Sequence, residues 1–145
     1  MWTELLVSLA VDLILVLAYY FISGTPPGAR VIVQELPVDS GLEDNQATFM
    51  FFYTTWCPHC KNAETPWHSF KQLLKNRNST FGGKSVTFEE INGDVDKGKK
   101  ALYDIKAYPT FKVITKDKVF EMVGKPNTDN FKSFLEKTLG SEKTV

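Results

Sequence analysis

Residues 48–53 read T-F-M-F-F-Y, and no other stretch narrows the fold as much. An almost continuously apolar run of this length fits a central strand covered on both faces. Directly after it, from Cys57 to about Asn76, Ala63, Trp67, Phe70, Leu73 and Leu74 recur at helical spacing on one stripe. Pro66 falls inside that helix and is expected to kink it. A doubly covered strand feeding an amphipathic helix is the unit of a layered α/β domain.

The remaining segments extend the pattern. Residues 31–36 (V-I-V-Q-E-L) predict a first strand, and 37–46 a polar loop or short irregular helix. Residues 78–84 predict a loop, 86–91 (V-T-F-E-E-I) a strand and 97–105 a short helix. Residues 109–115 (P-T-F-K-V-I-T) turn through Lys116, Asp117 and Lys118 into V-F-E-M-V, a hairpin that ends at Gly124. Phe131, Phe134, Leu135 and Leu139 then mark a closing helix over 128–139. The order β, β-α-β-α, β-β-α predicts a mixed sheet with helices on both faces. A chain of 145 residues accommodates one such domain, and no internal repeat is visible.

Ahead of the domain, Leu5 to Ile22 is an 18-residue run without Lys or Arg, interrupted by Ser8 and Asp12. Its twelve Leu, Ile, Val and Phe residues favour insertion by about −4 to −7 kcal/mol, against about +3 for a central Asp. A single-pass anchor over residues 1–23 is therefore expected, with Trp2 at one end and Tyr19 and Tyr20 towards the other, as interfacial belts have them. Two alternatives stand beside it: a signal peptide cleaved after Gly24, and a helix packed on the soluble domain. The start Met-Trp-Thr-Glu lacks the basic residues of a signal. Residues 24–30, with two prolines, read as a linker, 31–140 as the domain and 141–145 as a tail. Read literally, Arg30 alone after the span puts the domain in the cytosol. One arginine is too little to orient it, and a large domain translocates largely regardless of it; an extracytoplasmic domain is expected, with a cytoplasmic one left open. The triplet Asn78-Ser79-Thr80 is a glycosylation sequon that can report the side.

Seventeen basic and seventeen acidic side chains sum to zero net charge, which gives no electrostatic case for nucleic acid. Both cysteines lie in T-W-C-P-H-C-K, residues 55–61. A bond between Cys57 and Cys60 closes too small a loop to stabilise much. Structural zinc needs four ligands, usually in two spaced pairs, and only His59 and His68 accompany the cysteines. Haem attachment needs His after the second Cys, where Lys61 stands. No metal or other cofactor is expected.

A redox pair agrees with more of the surroundings. The pair follows a buried strand and opens a helix, where unpaired N–H groups and the positive end of the macrodipole stabilise a thiolate. Pro58 suits the first turn because its missing N–H costs nothing there. Cys57 is then the exposed sulfur that attacks, and Cys60, one turn inside, the buried one that resolves the mixed disulfide. His59 can favour the Cys57 thiolate, or simply be a solvated first-turn residue.

The run F-F-Y-T-T-W-C-P-H-C-K at 51–61, with A-Y-P-T-F at 107–111, resembles the thioredoxin and protein disulfide isomerase superfamily over about residues 31–140. That resemblance implies a thioredoxin-like fold, a redox-active Cys57–Cys60 disulfide with Cys57 as nucleophile, and a cis Pro109. Trp56, Tyr108, Pro109 and Thr110 become the substrate-binding edge, for thiol- or disulfide-containing proteins. Pro58 and His59 tune the potential: Pro-His is the pair of strongly oxidising periplasmic oxidases, whereas reductive thioredoxins carry Gly-Pro and isomerases Gly-His. No large helical insertion of the periplasmic oxidases fits between residues 93 and 106.

Two positions depart from the family pattern. A buried Asp or Glu usually stands six residues before the first Cys, where it takes the proton of the resolving thiol; here it is Phe51, unless Glu89, Glu90 or a water substitutes. The helix proline usually lies five residues after the second Cys, whereas Pro66 lies six after Cys60. The expected function is a membrane-tethered thiol-disulfide oxidoreductase of oxidase or isomerase type, recycled by an unidentified redox partner. A tethered reductase, or a binding module with secondary redox activity, are the alternatives.

Overall fold

The structure is a computed structural model that describes residues 1–23, 30–36 and 39–145. Residues 24–29 of the expected linker, and Pro37 and Val38 of the expected loop, lie outside the described residues. The elements are α1 (Trp2–Ser23), β1 (Arg30–Glu35), β2 (Gln46–Tyr53), α2 (Pro58–Arg77), β3 (Thr80–Phe81) and β4 (Lys84–Asn92). They continue with α3 (Lys97–Leu102), β5 (Thr110–Ile114), β6 (Lys118–Val123), α4 (Thr128–Leu139) and β7 (Glu142–Lys143). Among the described residues, one mixed sheet of seven strands runs β1-β6-β5-β2-β4-β3-β7. β2 is parallel to β4 and antiparallel to β5, and β1 pairs antiparallel with β6.

β2 is buried on both faces, as its composition requires. Phe49 and Phe51 point to one side, where Trp67, Phe70 and Leu74 of α2 and Phe131, Phe134 and Leu135 of α4 cover them. The Phe49 ring meets six other aromatic rings, from Trp67 at 4.8 Å to Phe70 and Phe111 at 6.4 Å between centroids. Each such ring contributes about 2–3 kcal/mol by leaving water, and its edge-to-face contacts add to that. Met50 and Phe52 point to the other side and pack with Ile91, Ile105, Ile114 and Val119.

α3 flanks this second face but buries none of its own residues. The cover comes from Tyr103 and Ile105 just beyond it, with Leu36 and Leu42. This is why α3 stops at Leu102 and not at Ile105: Asp104 turns left-handed at φ 50°, and the Ile105 N–H donates to Lys100 O at 2.9 Å. That geometry swings Ile105 into the core. Lys112 is buried on the same face, satisfied by Tyr103 O at 2.7 Å and the Glu121 carboxylate at 3.0 Å.

Residues 78–84, expected as loop, contain β3, and residues 141–145, expected as a tail, contain β7, which pairs with it. The Ser79 hydroxyl donates to Glu142 Oε1 at 2.6 Å, and Lys132 Nζ lies 2.8 Å from the same carboxylate. Lys132 first, then Ser79, hold the Glu142 carboxyl below its usual range. Gly82, at φ +55°, lets β3 approach the end of α4, because a Cβ there would overlap the Leu139 carbonyl.

α2 runs unbroken through Pro66 to Arg77, where Asn78 caps it left-handed at φ 47°. α1 has 22 residues, a length of about 33 Å, enough to cross a bilayer core. None of its 18-residue stretch Trp2–Tyr19 is buried, so it does not take the alternative of a helix packed on the domain.

Candidate active site

The end of β2 and the start of β5 lie side by side, with Phe52 opposite Thr110. The two signature segments, 54–60 and 107–110, therefore meet at one end of the sheet. The chain leaves β2 through Thr54, turns with Cys57 N donating to Thr54 O at 3.5 Å, and enters α2 at Pro58. Cys57 is the N-cap, with φ −85° and ψ 112°. Its Sγ accepts a hydrogen bond from the Cys60 N–H at 3.2 Å, so the sulfur occupies the place of a capping oxygen.

Both cysteines are free thiols. Cys60 is fully buried and Cys57 is 4% exposed. The expectation of an exposed Cys57 is corrected: the sulfur is folded inward onto the helix N–H and joins the α2 side of the core, while Trp56, Pro58 and His59 around it stay in solvent. The distinction between the two sulfurs is one of degree. Burial pushes the Cys60 thiol up to about 11, aided by its hydrogen bond with Cys57 and opposed by one from the Thr54 backbone.

The carboxylate usual beneath such a pair is absent. Phe51 stacks on Phe111, with centroids 4.8 Å apart and planes 10° from parallel. Neither Glu89 nor Glu90 reaches Cys60 as a substitute. Glu90 accepts from Trp67 Nε1 at 2.9 Å and pairs with Lys71 at 3.5 Å, and Glu89 is held by Lys99. The carboxylate that does bear on Cys60 is the exposed Glu64, one turn along α2, and its charge raises the thiol further.

The opposite wall comes from the 107–110 segment. Tyr108–Pro109 is a cis peptide, and the Thr110 hydroxyl donates to Ala107 O at 2.7 Å. Trp56 is 67% exposed beside the dithiol. Its ring meets Tyr108 edge-on at 6.2 Å, and its Nε1 donates to Asp94 Oδ2 at 2.7 Å. Tyr108 is fixed from behind by Gly93, where any side chain would overlap its hydroxyl, and from above by Lys100, whose Nζ lies 5.8 Å from the ring centroid. Two hydroxyls here, Thr54 Oγ1 and Tyr108 OH, are buried with no partner among the described residues.

All of Trp56, Cys57, Pro58, His59, Cys60, Tyr108, Pro109 and Thr110 thus gather at the C-terminal end of β2. His59 is exposed on the first turn and makes no hydrogen bond to Cys57. Sequence reasoning missed Gly93, Asp94 and Lys100. The signal available for the first two was the Asn92-Gly93-Asp94 turn directly after a strand that ends level with the dithiol.

The thioredoxin family profile matches residues 31–137. A rice protein, protein disulfide isomerase-like 5-1, is 30% identical over 135 residues, covering 91% of this chain and 84% of its own. Mouse protein disulfide-isomerase A6 is 32% identical over 79 residues, which is 54% of this chain but 17% of that one. The first thioredoxin domain of mouse protein disulfide-isomerase A4 superposes with a TM-score of 0.55 at 19% identity, covering 65% of this chain and 64% of that domain chain. By profile, by relative and by fold, this chain belongs to the thioredoxin family.

Proposed function

We propose that the chain is a membrane-tethered thiol-disulfide oxidoreductase of oxidase or isomerase type, with residues 30–143 as its working domain and α1 as its anchor. The family makes thiol-disulfide exchange the expected chemistry. The observation that carries the reading is the cap geometry: one sulfur held at a helix N-terminus, a second buried one turn inside. In the oxidising direction a substrate thiolate attacks Cys57 Sγ of the Cys57–Cys60 disulfide. The S–S bond breaks, Cys60 leaves with the electron pair and takes a proton, and a mixed disulfide forms. A second substrate thiolate attacks its own sulfur in that mixed disulfide and releases Cys57. The substrate gains a disulfide, the protein gains two electrons and two protons, and a partner oxidant must remove them. Trp56, Tyr108, Pro109 and Thr110 form the edge on which the substrate chain lies.

Pro58 and His59 support the oxidising side of this range, and the rice relative's name supports isomerisation. The reduction potential of the pair is expected between about −120 and −200 mV; a value near −270 mV makes the protein a reductase instead. With Cys60→Ala, the resolving sulfur is gone and substrates stay covalently bound to Cys57. If cells expressing that variant yield no dithiothreitol-sensitive adducts while a partner still binds, the protein is a binding module.

In this reading the domain lies on the extracytoplasmic side, where disulfides form and persist. Asn78 is exposed at the far end of α2 from the dithiol, about 30 Å away along the helix, so a glycan there leaves the site open. In a eukaryotic host the full chain is expected to carry an endoglycosidase-sensitive glycan that Asn78→Gln removes. An unmodified chain that is membrane-bound and protease-accessible from the cytosol reverses the assignment.

A further inference from the structure

β1 enters the sheet at the dithiol end. Its register carries across five strands in one row: Val31 opposite Met122, Met122 opposite Phe111, Phe111 opposite Phe51, and Phe51 opposite Glu90. Val31, the second residue of β1, is therefore level with Phe51, near the end of β2 that leads into Cys57. Three strand spacings, about 14 Å, separate them. Because β1 runs antiparallel to β2, its far end, Glu35, pairs with Lys118 at the hairpin, on the opposite side of the domain.

The chain from Ser23, the last residue of α1, to Arg30, the first of β1, spans at most about 25 Å even when fully extended. An anchor in the bilayer thus takes hold of the domain by its active-site end. The opposite end lies one strand length, about 20 Å, farther along the sheet. Trp56, Val95 and Val123 are exposed at the dithiol end, among the charged side chains of Asp94, Lys97, Asp104 and Lys106. The hairpin end is charged, with Lys116 paired to Asp44 at 3.3 Å beside Asp117, Lys118 and Glu43.

We infer that the dithiol faces the membrane surface and that its substrates are juxtamembrane cysteines of other membrane-anchored proteins, within about 25 Å of the bilayer. This rests on the tethered reading of α1. Confinement to the same thin layer raises the effective concentration of such cysteines, whereas thiols on soluble proteins or distal domains gain nothing from it. The exchange chemistry at Cys57 and Cys60 is unchanged, with the substrate cysteine supplied from the membrane side.

The test uses full-length Cys60→Ala protein in phosphatidylcholine vesicles with transmembrane peptides that bear an activated mixed disulfide. In one peptide the disulfide lies about five residues from the bilayer; in the other a proline-rich spacer of about 20 residues lifts it about 60 Å. Mixed-disulfide formation is expected at least tenfold faster with the near peptide. Inserting 30 Gly/Ser residues between Ser23 and Gly24 should bring the near-to-far ratio to about one and leave the rate towards a soluble peptide unchanged. Equal rates for the two peptides, or a ratio that survives the insertion, overturn the inference and leave the tether standing. If carbonate washing strips the protein from vesicles, the tether itself fails and the inference falls with it.

Discussion

Resolution of a mixed disulfide on Cys57 is expected to accelerate about tenfold per pH unit between pH 7 and pH 10, roughly a thousandfold in all. The resolving sulfur attacks only as a thiolate, and burial, the largest cause of its raised pKa in the dithiol, keeps Cys60 neutral well above the ordinary thiol range. In most of the family a buried carboxylate takes that proton; here Phe51 is stacked on Phe111 in its place. Glu90 and Glu89 are engaged by Trp67 and Lys99, and Glu64 opposes ionisation. Stopped-flow release of a small-peptide adduct checks this, and a profile that levels off by pH 8 shows that some other group accepts the proton. At neutral pH turnover should lag behind that of an ordinary isomerase domain. Stability of the dithiol form has the same origin. Below pH 9 folded and unfolded chains both carry the thiol; between 9 and about 11 the unfolded chain ionises first, so stability falls as pH rises through that window.

Phe49→Ala is expected to cost the domain about 3–5 kcal/mol, and its melting temperature about 15–25 °C. The ring is fully buried and touches rings from α2, α4, β4 and β5, so its removal opens a cavity at the junction of four elements. Relaxation is limited because β2 is the central strand, bonded on both sides. Guanidinium titration of the full chain in detergent micelles, followed by tryptophan emission, measures the change. A loss below about 1.5 kcal/mol shows that the aromatic cluster closes over the gap.

How far these features are legible in the sequence follows from their physics. The two-faced burial of β2, the α2 stripe and the closing helix can be read because burial writes a period into the sequence. The dithiol and its cis-proline partner can be read because the two segments resemble a known family. β3 and β7, two residues each, write no period, so their pairing appears only in three dimensions. Alternation marks residues 31–36 as a strand but says nothing of its neighbour, and the pairing of β1 with β6 appears only in the structure. Lys112 looks like an exposed position in a strand, yet it is buried because a carbonyl and a carboxylate meet its charge. The inward turn of Cys57 is not legible either, since the family motif names the sulfur and not its tilt.

The placement of Trp56 also makes the protein its own optical gauge. Trp67 is sealed in the core and Trp56 stands in solvent beside the thiols, while Trp2 lies on α1. A thiol or disulfide quenches a neighbouring indole differently, so emission from Trp56 should follow the oxidation state turn by turn. Trp67 stays silent until the domain opens, and Trp2 reports only the surroundings of α1. Replacing two of the three by Phe isolates each signal, and redox state, folding and the environment of α1 become separate colours of one spectrum.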